Sequence, residues 1–262
     1  MLELAAFGAR KRVKGALALS VGLSAFSAMY AAFFPSVTEG IDLDTYIDSM
    51  PQVFVEAFGL RALGTIEGFL ATELYQFAWV ILLGLYIAYS AASLVASDVE
   101  NDRMDVTLAL PVSRARVVGE KFLELVPGIL LINAIVAAVT WAATRAIGYP
   151  IGTVDLVAVH LLSLPYLFAC AGIGLAFSVL VDRASIAQRA AMATVFGLFL
   201  LESIVTGTDW EWVGAIAPMR YFDPTAILVD GQYDLGAAVV LLVATAGLVA
   251  VSQWYFGRKD IN

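Results

Sequence analysis

The sequence is poor in the residues on which most site chemistry depends. Its 262 residues include one cysteine, Cys170, and one histidine, His160. A single thiol forms no internal disulfide. Cys170 lies in an apolar run with no metal partner near it, so it reads as a small buried hydrophobe. A single imidazole excludes any two-histidine metal motif. There are four lysines, Lys11, Lys14, Lys121 and Lys259. None follows P-loop glycine spacing or precedes Ser or Thr, so ATP phosphates have no such cradle on this chain. The HExxH and GxSxG patterns are absent too. Ser24 sits in "GLSAF" without a second glycine to form an oxyanion turn, and His160 belongs to another apolar segment. An intramembrane hydrolase pair is therefore poorly supported, and His160 reads as a satisfied residue near a helix end. The net charge of −8 argues against nucleic acid as a partner.

Apolar side chains are what the chain has in excess. They make up 61% of the residues, with a mean hydropathy of +0.85. Soluble domains of this size run at about 45–50%. Lipid must be the solvent for much of the surface. Six segments are long and apolar enough to cross a bilayer, at 15–34, 74–95, 124–145, 156–181, 190–206 and 235–256. The first follows Arg10, Lys11, Arg12 and Lys14, as a signal peptide would. It is long for one, and Phe33-Phe34-Pro35 is not a cleavage site, so it reads as a retained span.

Lysine and arginine set the expected orientation. With both termini cytoplasmic, Arg10, Lys11, Arg12, Lys14, Arg103, Arg114, Arg116, Lys121, Arg183, Arg189, Arg258 and Lys259 lie inside. Arg61, Arg145 and Arg220 lie outside. Twelve against three accounts for all fifteen basic residues, and an odd number of spans would misplace the last pair.

Two outer segments interrupt the spans. Residues 36–73 carry seven acidic side chains, among them Glu39, Asp42 and Glu73, together with the apolar clusters "VFVEAFG" and "IEGFLA". This composition predicts short amphipathic helices capping the outer face. Residues 207–234 combine Trp210, Trp212, Tyr221 and Phe222 with Pro218 and Pro224. The aromatics suit a membrane interface and the prolines forbid one continuous helix, which predicts a re-entrant or interfacial hairpin. Within it "DPTAILVDG" reads as one short helix ended by Gly231. Intramembrane polar residues are few: Glu202, Glu124, Arg145, Asn133 and Gln188. No span carries a row of carboxylates, which weakens the case for an ion-driven carrier. Glu202, Asn133, Trp210 and Tyr221 are the candidates for a substrate path or gate.

The most informative stretch is "ASDVENDRMDVTLALPVSRARVVGEKF", from Ala96 to Phe122, with nine charged side chains between two apolar spans. Val95, Val99, Val106 and Leu110 are spaced as one helical stripe, with Asp98, Asp102 and Asp105 beside it. Pro111 stops the helix near Leu110. Ser113 is placed to cap a second helix, bearing Arg114, Arg116 and Lys121, that runs into span three. A mere terminator needs no apolar stripe. An exposed stripe on an arm continuous with two spans needs a partner.

The same residues carry a family resemblance. "ENDRMDVTLALPVSRARVVGEKF" is similar to the signature of ABC-2-type transporter permeases, with its cytoplasmic glutamate (Glu100), its Leu-Pro-Val-Ser-Arg run (Leu110 to Arg114) and its Gly-x-Lys start to span three (Gly119, Lys121). "YFDPTAILVDG" and "FGRKDI" resemble the haloarchaeal-type branch of that family. Asp102 departs from the pattern, where the family often has glycine. The resemblance implies an all-α integral membrane protein forming a single domain over 1–262. It would have six transmembrane helices, an N-terminal interfacial elbow helix over 1–14 and a cytoplasmic coupling region over 97–121.

It implies a permease subunit, itself not an enzyme, pairing with a second permease copy or a relative and with cytoplasmic ATPase subunits. No cofactor is expected on this chain, since ATP and Mg belong to the ATPase, and membrane lipid is the remaining partner. Glu100, Asp102, Arg103, Met104, Asp105, Val106, Leu108, Leu110, Pro111, Arg114 and Arg116 would form the ATPase-coupling surface. Two rival readings are a non-transporting membrane anchor for a soluble ATPase and an intramembrane enzyme.

Overall fold

A computed structural model of the chain describes residues 3–40, 49–51, 63–108 and 111–259. Among the described residues all regular structure is helical, and six helices are long and apolar enough to cross a membrane. Span one is α1 (Glu3–Gly40) and span two is α2 (Ile66–Ala92). A short pair follows, α3 (Ala96–Glu100) and α4 (Arg103–Leu108). Then comes α5 (Arg114–Leu123), which leads into α6 (Val126–Ala146), span three. Spans four and five are α7 (Thr153–Leu180) and α8 (Ala184–Val205). Two 3-10 turns and α9 (Pro224–Leu228) precede span six, α10 (Leu235–Arg258).

Three sequence expectations change here. The N-terminal segment is not a separate elbow: residues 3–14 and span one form one helix of 38 residues. No proline interrupts it before Pro35, and at about 1.5 Å per residue it spans about 57 Å, well beyond the roughly 30 Å hydrocarbon core. "IEGFLA" is not a capping helix on the outer face. It is the first turn of span two, started by Thr65, whose hydroxyl accepts the Gly68 N–H at 3.1 Å. "VFVEAFG" lies outside the described residues. The third change, in the segment after span two, is taken up below.

Packing is by close approach and hydrogen bonds, because lipid removes the hydrophobic drive between spans. The centre is α7, flanked by α2. Their most apolar stretches are 61% and 56% buried, against 17% for both α8 and α10. A Cβ built at Gly174 would lie 2.7 Å from the Ala91 Cβ and closer still to the Ala88 carbonyl oxygen. The glycine is what lets α2 and α7 meet at that depth. The Tyr166 hydroxyl of α7 donates to the Val80 carbonyl at 2.7 Å, and Ser27 of α1 bonds Thr140 of α6 at 2.6 Å. Residues Ala71–Leu83 of α2 are π-helical, and their Tyr75 and Trp79 are fully buried against His160.

Candidate functional site

The stretch from Ala96 to Phe122 forms an arm at the end of the bundle where both termini lie. Its first helix, α3, begins at Val95 without a local side-chain cap. The Ser178 hydroxyl of α7 caps it instead, accepting the N–H groups of Val95 at 2.8 Å and Ala96 at 3.1 Å. The single helix expected from Ala96 to Leu110 is in fact two, α3 and α4, broken at Asn101 and Asp102. Asp102 has a φ of +55°, the left-handed region that aspartate tolerates better than most residues. That residue ends α3 and turns the chain before α4 starts. The break interrupts the one helix on which both stripes were predicted, and the side chains of Asp105 and Val106 and the whole of Leu110 lie outside the described residues. Val95 is buried and Val99 partly buried against the core. Asp98 points inward to Lys121, while Asp102 is exposed at the turn. Ser113 caps α5 as expected, accepting the Arg116 N–H at 3.3 Å.

Alternating charges tie the arm to the spans. Arg103 pairs with Asp98 at 3.3 Å, and Asp98 with Lys121 at 2.7 Å. Lys121 lies 3.9 Å from Glu124, and Glu124 binds Arg12 of α1 at 2.8 Å. Arg12 also donates to the Ser90 hydroxyl at 3.0 Å. Glu120, nearly fully buried, accepts the N–H groups of Leu4 at 3.1 Å and Ala5 at 3.3 Å. A carboxylate thus sits at the N-terminus of a 38-residue helix, where free N–H groups and the helix dipole favour negative charge. Arg116 holds the other Glu120 oxygen at 2.7 Å. Two further contacts reach spans five and six. The Ala184 N–H at the start of α8 donates to Glu100 at 2.9 Å, and Arg114 donates to the Lys259 carbonyl. Lys259 in turn binds Asp182 and the Val179 carbonyl.

The predicted coupling residues therefore divide. Met104 is 1% exposed, so it is a core residue and not a surface contact. Arg103 and Pro111 are exposed. Arg114 and Arg116 are engaged with Lys259 and Glu120. The side chains of Asp105, Val106 and Leu108, and the whole of Leu110, lie outside the described residues.

The path candidates do not share one cavity. Asn133 is locked between α6 and α7. Its amide donates to the Ile129 carbonyl at 2.9 Å, which turns Oδ1 toward His160 Nδ1 at 3.2 Å and the Ser163 hydroxyl at 3.0 Å. His160 Nδ1 then carries the hydrogen, and Nε2 accepts the Tyr75 hydroxyl at 3.0 Å. His160 is satisfied, but two turns inside α7 and not at its end. Glu202 is buried near the far end of α8, 3.7 Å from Arg220, with its other oxygen against Gly214 of the hairpin. Arg220 also bonds Glu211 at 3.1 Å.

The hairpin is two 3-10 turns, Glu211–Ile216 and Pro218–Tyr221, then α9 capped by Asp223, with Gly231 at φ +63°. Trp210 and Trp212 are 65% and 70% exposed, as interfacial anchors should be. Tyr221 lines an apolar groove of about 590 Å³ between α7, α8 and α10, alongside Ile173, Leu198 and Leu248.

The family profile described as ABC-2 family transporter protein matches residues 13–261. The chain belongs to the ABC-2 transporter family. No curated protein matches it. The permease is thus the membrane subunit of an ABC transporter. Several residues that build its arm carried no motif in the sequence. Ser178, Glu124 and Arg12 gave only the weak signal of polar groups at the ends of apolar runs. Their partners lie between 78 and 112 positions away in the chain.

Proposed function

We propose that the permease is the membrane half of an ATP-driven exporter. Two copies of it work with two cytoplasmic ATPase subunits that bind ATP and Mg. Both termini and the arm face the cytoplasm. The twelve-to-three distribution of basic residues supports that orientation. The observation that carries the reading is the arm itself. It is continuous in the chain with spans two and three, polar contacts tie it to spans one, four, five and six at the terminal end, and no P-loop exists on the chain.

The docking surface is formed from α4 and the proline turn, with Arg103, Asp105, Val106, Leu108, Leu110 and Pro111 as its residues. Arg114 and Arg116 flank it. ATP binding closes the ATPase pair, the two arms approach, and the tied spans open a path between permease copies. Such coupling requires that the ATPase bind one permease state better than the other. The hairpin from Trp210 to Tyr221 gates the outer exit, with Glu202 as its latch. The substrate leaves by that exit.

The test is purification of the tagged permease with its ATPase subunit in lipid nanodiscs. Wild-type permease retains the ATPase and changes its turnover. Val106→Glu with Leu108→Glu releases it, or leaves its turnover as for the isolated subunit. Unchanged recruitment and turnover in that double variant refutes the docking surface.

A further inference from the structure

The arm and the junction of spans four and five grip each other through reciprocal helix caps. Helix α3 lacks a local cap and is capped by Ser178, near the end of α7. Helix α8 lacks one as well: its N-cap residue, Arg183, makes no side-chain cap bond. The Glu100 carboxylate fills that role at 2.9 Å from the Ala184 nitrogen, from 84 positions earlier in the chain. Ser178 and Ala184 bracket the short turn between spans four and five, while Val95 and Glu100 bracket α3. Each short segment supplies the acceptor for the other's unsatisfied N–H groups. The arm therefore cannot shift without carrying the start of α8.

Helix α8 is suited to being carried. Its most apolar stretch is only 17% buried, and the side chains it buries before Glu202, namely Ala187, Ala191 and Val195, are apolar. Its other strong polar attachment is at the opposite end, where Glu202 meets Arg220 and sits over Gly214 of the hairpin. Between these ends lie 22 helical residues, a stiff rod of about 33 Å at 1.5 Å per residue.

We infer that α8 is the rod that carries arm motion to the outer hairpin, and that Glu100 is the positioning residue that joins the arm to it. The inference rests on the proposed coupling role of the arm. It takes Glu100 out of the ATPase-docking surface and assigns its carboxylate to span five. The chemical requirement is an acceptor oxygen at the first turn of α8, not a negative charge facing a partner. Glutamine meets that requirement in part and alanine not at all.

The experiment reads the hairpin directly, in the complex of permease and ATPase. A spin label is attached through Trp212→Cys, a position 70% exposed. The only native cysteine, Cys170, is fully buried and does not compete. Label mobility is compared with and without ATP, alongside ATPase binding and turnover. In the otherwise wild-type permease, ATP changes the mobility. Glu100→Ala and, separately, Ser178→Ala keep ATPase binding and turnover within about twofold, while the ATP-dependent change falls about fivefold or more, the low end of ordinary coupling strengths. Glu100→Gln restores most of the response. A full response in Glu100→Ala overturns the inference and leaves the coupling reading intact. Loss of ATPase binding in both Glu100→Ala and Glu100→Gln also overturns it, by making Glu100 a docking contact. If wild-type permease shows no ATP response while the ATPase turns over, the coupling reading fails and this inference fails with it.

Discussion

Gly174→Ala is the substitution whose effect the structure defines most closely. The added methyl would point at α2, 2.7 Å from the Ala91 Cβ and 3.1 Å from the Ala88 carbonyl carbon. Carbon atoms pack comfortably at about 3.5–4.0 Å, so the helices must part by about 1 Å. The nearest atoms belong to a backbone carbonyl and an alanine, and neither has a rotamer to change. Overpacking of this kind costs about 1–3 kcal/mol, and a rigid wall puts Gly174→Ala near the top of that range. Replacing glycine by alanine within a helix returns up to about 1 kcal/mol. The net loss is about 1–2 kcal/mol, or about 3–6 °C in midpoint for a chain of this length.

Gly197→Ala is the matched control. Gly197 lies within α8, and a Cβ there would meet nothing within 4 Å. That variant gains the helix-propensity term without the collision and unfolds at the wild-type temperature or slightly above. The assay is thermal unfolding of purified permease in one detergent, followed by near-UV circular dichroism. Equal midpoints for Gly174→Ala and Gly197→Ala would refute the close approach of α2 and α7.

Three further outcomes follow from the arm and the polar core. Asp102→Gly removes the strain of a positive φ and leaves stability unchanged or raised by up to about 1 kcal/mol, whereas Asp102→Val costs about 1–2 kcal/mol; hydrogen exchange over residues 96–108 distinguishes the two. A double-mutant cycle on Arg12→Ala and Glu124→Ala gives a coupling of about 1–2 kcal/mol, between the values typical of exposed and of buried pairs, because Arg12 is 33% exposed and Glu124 only 4%. Additive losses in chemical unfolding would show that the pair holds nothing. Asn133→Ala strands the His160 Nδ1 hydrogen, while the Ser163 hydroxyl keeps the His160 carbonyl at 2.8 Å, and lowers stability by about 1–2 kcal/mol, modest because membrane hydrogen bonds are individually weak. Wild-type stability joined to altered transport would instead place Asn133 on the substrate path.

The spans were legible because crossing lipid leaves little freedom in composition. About twenty apolar residues in a row are hard to mistake, and each of the six predicted spans overlaps an observed helix. Their ends were less legible. Span two begins at Ile66, eight residues before its predicted start, because Glu67 and Glu73 made that turn look like an outer loop. In the structure Glu67 lies in the first turn of the helix, where a carboxylate complements the dipole. The proline turn and the Ser113 cap were readable because both are local. The break at Asp102 was not, since asparagine and aspartate are tolerated within helices as well as at their ends, and only the backbone angle shows which choice the chain made.

Composition and periodicity alone dictate that this chain lives in a bilayer, crosses it with helices and carries a charged arm between its second and third spans. These are averages over many residues, and lipid enforces them wherever the chain goes. Which charges meet is another kind of fact. Glu100 with Ala184, Glu120 with Leu4 and Asp98 with Lys121 depend on how helices far apart in the chain lean on one another. That leaning is set by single close contacts such as Gly174 against Ala88. A hydrogen bond requires its two atoms within about 3 Å, and a span count leaves the distance between helix ends undetermined.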